Sequence, residues 1–438
     1  MPQWTHRSSS RAPGGARPDK ASVIFAHVTF ISCIVLQRFG LPLGHSGGLP
    51  LSISLFAFWL LALWMLLSGR GRISAPHALP LLVFMGVALA SAVFALLFPD
   101  MRVGFSLLSL MNVVFLYAPM FVRPNKRFDG AAVVEVFLFY VRLCAVAGIV
   151  QFCLQFVHVR VFALGPLVPK LSPFLLENGF AWNPLLAYGS STLRSNGLFL
   201  LEPSIFSQVL CLGILLDLFI IGRWKWLPLY AVAYMVSFSG TGLLSLALTL
   251  ALVGLTSVRY SARVLGLGVL SVLIAGLFAI ILPSEFGHFA DRFGELGSNK
   301  TSGYARYIAP LEQVQAFSAD WRALIGYGPG ATTRSIYFAN GTGNPAVQIF
   351  IDYGFLGLIS FAVFLTAAVW RKGYIAVSLL LLVTFELGGG YLLFAPYIVL
   401  LTALGVWTDG LPRPEETQAV VRPQPAPQDR RRLAVIGG

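Results

Sequence analysis

The run AAVVEVFLFYVRLCAVAGIVQFCLQFV, residues 131–157, decides the class of this chain. It is apolar over a length that crosses the roughly 30 Å hydrocarbon layer of a bilayer at about 1.5 Å per residue. It does not alternate, which excludes a strand of a membrane β-barrel. Its polar members are the anomaly: Glu135, Arg142, Gln151 and Gln155. A lone cation at mid-bilayer costs about 2.5–3.5 kcal/mol or more on insertion scales, so Arg142 faces other helices or a wet cavity. There it either pairs with Glu135, Asp217 or Glu386, or binds a lipid phosphate.

The same pattern recurs along the chain. Hydrophobic residues make up 57% and charged residues only 11%, with a mean hydropathy of +0.77. Runs at 21–37, 49–68, 78–98, 104–122, 131–157, 198–221, 226–238, 241–257, 263–283, 345–370, 373–387 and 391–407 predict an all-α polytopic membrane protein of about 12 transmembrane helices. Regions 226–257 and 373–407 are each long for one helix and short for two. Each is interrupted at a turn, Ser239-Gly240-Thr241-Gly242 and Gly388-Gly389-Gly390. Charge decides between the readings. With two hairpins, both termini are cytoplasmic, 20 of the 31 Lys and Arg lie on that side, and every short cytoplasmic loop holds at least two. Single spans would turn Arg259, Arg263, Arg371 and Lys372 outward, against the positive-inside rule.

Residues 1–20 then form a basic cytoplasmic tail and 21–407 the transmembrane domain. Residues 408–438, rich in Pro and Arg, read as a disordered cytoplasmic tail. No small-residue cleavage site follows the first apolar run, which reads as an uncleaved span. All four cysteines lie in apolar runs and read as small buried hydrophobes. The histidines lack ligand spacing, and Asp291 and Glu295, one turn apart, read as a solvated face. No Gly-rich phosphate loop or dinucleotide fingerprint is present. The expectation is a protein without cofactor, required metal or nucleic-acid partner.

Two long segments, 158–197 and 284–344, are left on the outer side. They carry Arg160, Lys170, Arg194, Arg292, Lys300, Arg306, Arg322 and Arg334, a basic load that calls for an anionic substrate. In the first, Arg194 and Glu202 stand eight residues apart where a polar loop enters a span. Gly197 allows a tight approach, Pro203 suits a first helical turn, and the positive end of the helix dipole is a natural place for phosphate. Glu202 is at that mouth as a hydrogen-bond acceptor or base; alternatively it caps the helix while Arg194 reaches to headgroups. In the second segment, residues 304–322 have the spacing of an amphipathic helix lying on the membrane surface, opened by Arg306. Arg306 is either a substrate contact or an interface anchor for that helix. The turns Gly326-Tyr327-Gly328-Pro329-Gly330 allow close backbone approach to a ligand. Asn344-Pro345 then leads into a span containing Gly354 and Gly357. Arg142, Arg292, Arg322, Arg334, Tyr304 and Asn344 are the candidate substrate-binding residues.

Three landmarks together resemble the bacterial O-antigen ligase and polymerase superfamily over roughly residues 190–370. They are Arg194, Gly197, Glu202 and Pro203; then Ser237, Ser239, Thr241 and Gly242; then Arg306, Gly326, Gly328, Asn344, Gly354 and Gly357. The resemblance implies metal-independent glycosyl transfer at the periplasmic face of the inner membrane, from a glycan on undecaprenyl pyrophosphate. It implies that Arg194 and Arg306 engage the pyrophosphate leaving group, and it leaves Glu202 as the candidate base. A lipid-linked oligosaccharide is then the substrate, and a chain-length-regulating membrane protein a candidate partner. Two positions depart from the pattern. The His that ligases carry just before the span near Asn344 is Gly343, and the frequent Arg of the Ser-x-Ser turn is Gly240. The first departure favours a polymerase of O-antigen, capsule or exopolysaccharide repeat units over a ligase acting on lipid A or another acceptor. A polytopic transporter or flippase of lipid-linked sugars is the alternative from a different class; the chain shows no two-fold repeat, and its polar bulk lies outside the spans.

Overall fold

The helices begin where the sequence supplies a cap or a proline. The computed structural model describes residues 19–41, 51–98, 104–162, 168–176, 185–186, 192–256, 276, 280, 304, 308–334, 343–371 and 373–408. Asp19 accepts from the Ser22 N–H ahead of α1 (Lys20–Phe30), which runs on as a π-helical turn, Ile31–Val35. Ser52 caps α2 (Ile53–Leu67). Helices α3 (Ala75–Leu97) and α4 (Leu107–Tyr117) follow. Asp129 accepts from Ala131 and Ala132 N–H at the start of α5 (Gly130–Leu154). Pro203 occupies the first turn of α6 (Pro203–Leu215), which ends in a π-helical segment, Leu216–Ile221. Helices α7 (Leu227–Ser237) and α8 (Gly240–Thr256) come next, then α9 (Ala309–Ser318). A single helical turn, Ala331–Arg334, comes before Asn344, which caps α10 (Pro345–Val369), and α11 (Ile375–Leu387) and α12 (Ala395–Gly405) follow.

This is a helical membrane-protein fold. Three helices, Ala75–Leu97, Gly130–Val157 and Pro345–Val369, are long and apolar enough to cross a membrane. A helix stands at eleven of the twelve expected places, and the twelfth, 263–283, falls almost entirely outside the described residues. The lengths differ from expectation. With 11, 13 and 11 residues, α7, α11 and α12 reach only about 16–20 Å at 1.5 Å per residue, short of a full crossing. Both ambiguous regions do break into two helices, at Phe238 and Ser239 and at Gly388 to Gly390. Two short antiparallel ladders also form where strands were not expected. β1 (Gly40–Leu41) pairs with β2 (Leu51–Ser52), and β3 (Gly71–Ile73) with β4 (Val122–Pro124).

The surface has the character that a hydrocarbon solvent requires. Leu60 is 67% exposed and Leu108 72%, with Leu82, Val93, Met111 and Phe115 also open, while Phe84, Tyr353 and Phe361 interlock between α3 and α10. Helix termini fall into two sets by their mutual bonds. One set carries the cations of the short loops, of which Arg123 and Arg371 are held on helix C-termini and Arg70 and Arg223 on carboxylates. Arg123 donates to Ala368 O at 2.6 Å at the end of α10, and Arg371 to Gly405 O and Val406 O at the end of α12. Arg70 pairs with Asp19 at 3.0 Å, and Arg223 with Glu135 at 2.6 Å. A guanidinium on a helix C-terminus satisfies the orphan carbonyls and opposes the negative dipole end. The other set of termini carries the candidate site.

Candidate functional site

The segment that precedes α6 is fixed from two sides by amide and guanidinium side chains. On α5, Gln151 Oε1 accepts from Ser195 Oγ (2.8 Å) and from the Asn196 N–H (3.2 Å), while its Nε2 donates to Asn196 Oδ1 (2.9 Å). Gln155, one turn on, accepts from Leu193 N–H at 2.8 Å and donates to Leu193 O. Beyond the end of α1, Gln37 accepts from Leu201 N–H (2.9 Å), and the buried Arg38 donates to Leu200 O (3.1 Å) and Phe162 O (3.0 Å). Gly197 and Leu198 turn the chain through left-handed conformations, with φ near +70°. A Cβ at Gly197 would come within 2.7 Å of the Phe206 ring, so the turn lies directly on α6. Half-buried Arg194 therefore leaves a rigid turn beside the fully buried Ser195 and Asn196.

Glu202 is the N-cap residue of α6 with an extended backbone, and its side chain makes no capping bond to the helix backbone. Its Oε2 accepts instead from Ser204 Oγ at 2.7 Å. The capping alternative is thus met by the backbone of Glu202 and not by its carboxylate.

One turn deeper, Ser207 joins the second landmark to the first. Its Oγ accepts from Gly242 N–H (3.1 Å) and lies 3.2 Å from Ser239 Oγ. Any side chain at Gly242 would meet the Ser207 backbone at 2.6 Å, so α8 can approach α6 this closely only with glycine there. Gln208, 1% exposed, accepts a hydrogen bond from Tyr391 OH. Tyr391 stacks on Tyr397 at 4.2 Å and follows Gly390, whose N–H donates to Gly343 O at 2.7 Å. The same corner holds the mouth of α10. Asn344 Oδ1 accepts from Ala346 and Val347 N–H, Asn344 Nδ2 donates to Glu386 O, and Glu386 Oε2 accepts from Ala346 N–H at 3.1 Å.

The glycine-rich turns of the second long segment serve the protein itself. Tyr327 and Gly328 N–H donate to Ile351 O and Asp352 O, beside the kink of α10 at Gly354 (φ +70°). The 3%-exposed Asp352 carboxylate accepts from Gly330 N–H, Thr332 N–H and Thr332 Oγ1. The close approach anticipated for a ligand is thus made within the protein, Gly326 against the α10 backbone at Asp352, Gly328 against Ala95 of α3 and Gly330 against Ser109 of α4, each where a Cβ would collide. Within the expected 304–322, α9 spans Ala309–Ser318 and a 3-10 turn follows at Trp321–Leu324, while 305–307 lie outside the described residues. α9 has Pro310 in its first turn and rests on α10 through Phe317, 5.0 Å from Phe350. Leu311, Trp321 and Leu324 stay exposed.

The predicted binding residues do not gather in one place. Arg142 sits at the opposite end of the bundle from the Arg194 turn. Its Nη2 donates to both Asp217 oxygens (2.8 Å each), its Nε donates to Tyr230 OH, and the guanidinium lies 4.4 Å from the Trp226 ring. Of its four sequence alternatives it takes Asp217. Glu135 pairs with Arg223 instead, and Glu386 caps α10. Arg322 lies between the rings of Trp321 and Tyr327 and donates to Phe98 O, and exposed Arg334 reaches Phe105 O. Tyr304 donates to Glu312 at 2.7 Å, a bond that raises the phenol above its ordinary pKa. Asn344 is an N-cap. Arg292 and Arg306 lie outside the described residues.

Gln37, Arg38, Gln208, Tyr391 and Asp352 were not singled out from sequence. For Arg38 a signal existed: a cation directly after the first apolar run. For Asp352 it was a carboxylate inside a span. No group of three or more potential metal ligands occurs among the described residues.

Fold and corner together define a helical membrane protein with a rigid, polar end, where Arg194 and Glu202 sit on short turns held by amide side chains. No family model matches the chain, and no curated protein matches it.

Proposed function

We propose that this protein is a glycosyltransferase of the inner membrane that polymerises oligosaccharide repeat units carried on undecaprenyl pyrophosphate, working at the periplasmic face of a twelve-span bundle. The observation that carries the reading is the clamp on residues 193–202. An arginine and a carboxylate at a helix mouth, held by amides from two other helices, make a preorganised site for a substrate that develops negative charge. Arg194, joined by Arg306, stabilises the departing pyrophosphate; a fixed cation does so without a metal. Glu202 is the carboxylate at the same helix mouth, held through Ser204. The exposed apolar surface keeps the substrate's lipid in the bilayer while its sugar meets the polar corner. A ligase would share this donor site and differ in the acceptor.

Purified protein in detergent, given a lipid-pyrophosphate-linked repeat unit, should yield a ladder of products on a gel. A single transferred block would mean ligation. No product, with scrambling of the lipid in liposomes, would overturn the reading in favour of transport.

A further inference from the structure

Resting on the glycosyl-transfer reading, we infer that Glu386 takes the proton from the acceptor hydroxyl, with Glu202 serving as a fixed counter-charge on the donor side. The surroundings of the two carboxylates are linked through the Gln208–Tyr391 contact. Ser204, the partner of Glu202, lies one helical turn before Gln208 on α6, while Tyr391 is tied through Gly390 to Gly343 at the mouth of α10. Their surroundings differ in a way that matters for base chemistry. Glu202 follows directly on residues 200–201, which the Arg38 guanidinium and Gln37 hold, and it shares its turn with Arg194. Glu386 has no cation among its described partners. Its side chain accepts one neutral backbone N–H, from Ala346, through Oε2, and Oε1 carries no hydrogen bond among the described residues. The titratable groups near it are the phenols of Tyr117 and Tyr397. Asn344 already accepts from the same Ala346 N–H, so α10 keeps its cap whatever Glu386 does.

In the step this implies, the acceptor oxygen forms a bond to the anomeric carbon as the bond from that carbon to the pyrophosphate oxygen breaks. The pyrophosphate leaves with the electron pair beside Arg194. The hydroxyl proton passes to Glu386 and from there to water, so no co-reactant is needed.

Glu386→Gln isolates the claim, because an amide oxygen still accepts from Ala346 N–H but cannot take a proton. The repeat-unit assay is run on wild type, Glu386→Gln, Glu386→Asp and Glu202→Gln from pH 5 to 9, with binding of the lipid-linked donor measured separately. The expected result is a fall in kcat of about 10²–10⁴-fold for Glu386→Gln with donor binding and thermal midpoint unchanged. Glu386→Asp should recover part of the rate and move the acid limb of the profile. A Glu386→Gln enzyme within threefold of wild type, beside an inactive Glu202→Gln, would overturn this assignment and leave the glycosyl-transfer reading standing. No product from wild type would overturn both.

Discussion

Gln151 Oε1 lies 2.8 Å from Ser195 Oγ, and this one oxygen also takes the N–H of Asn196. A polar side chain within the α5 apolar run thereby fixes the turn that presents Arg194. Replacing Gln151 by Leu strands these donors in a buried site, at about 1–3 kcal/mol for each. The expected outcome is a drop of several degrees in the thermal midpoint and faster cleavage by added protease between residues 190 and 200. An unchanged midpoint and cleavage rate would show that the turn is held by other means.

Arg142 and Asp217 offer a double-mutant cycle. Asp217 is 1% exposed, so Arg142→Ala leaves a buried charge unpaired and should destabilise by about 3–5 kcal/mol. The pair Arg142→Met with Asp217→Leu should recover most of that, since neither charge then remains. Measured in detergent by thermal unfolding, a double mutant as unstable as the single would contradict a purely structural role for the pair.

Asp352 fastens the Gly326–Thr332 turn to α10. Asp352→Ala orphans two backbone N–H groups and a hydroxyl, each worth about 1–3 kcal/mol. Amide hydrogen exchange at residues 328–334 should accelerate strongly, with exchange in α5 little changed. Gly354→Ala should act on the same segment, because φ of +70° disfavours any Cβ and the space is filled by the backbone of Leu324 and Ile325.

The Asp19–Arg70 pair gives a pH test outside the spans. Desolvation works against the Asp19 carboxylate, but hydrogen bonds from Ser22 and Arg70 overcome it and hold the group below the usual carboxylate range. A depressed pKa contributes stability above the unfolded value and loses it as pH falls through the folded value. The thermal midpoint of wild type should therefore approach that of Asp19→Asn as pH drops below about 4 and exceed it at pH 7. Parallel curves across that range would remove the pair from the account.

Class and helix positions were legible in the sequence because apolar length and Lys/Arg asymmetry are one-dimensional signals. Breaks at Phe238–Ser239 and Gly388–Gly390 followed from turn residues, and the Arg194 turn from a glycine and a proline around two charges. Helix length was less legible. Apolar residues in the flanking turns, such as Tyr391 to Leu393, extend a hydropathy run without extending the helix. Partnership was not legible at all. Arg142 had four candidates, and only the three-dimensional contact of α5, α6 and α7 selects Asp217. The glycines at 326 and 328 carried the correct physics, close approach, but the sequence could not say that α10 and α3 were what they approach. Glu386 was visible only as a candidate partner of Arg142 until the fold set it beside Ala346.

Arg194 carries the central claim, that the polar corner acts on a lipid pyrophosphate. The direct measurement is the polymerisation assay with wild type and Arg194→Ala, alongside Arg306→Ala, each shown by size-exclusion profile and thermal midpoint to be folded in detergent. The account predicts a ladder from wild type and none from either variant. Wild-type ladders from both variants would contradict it.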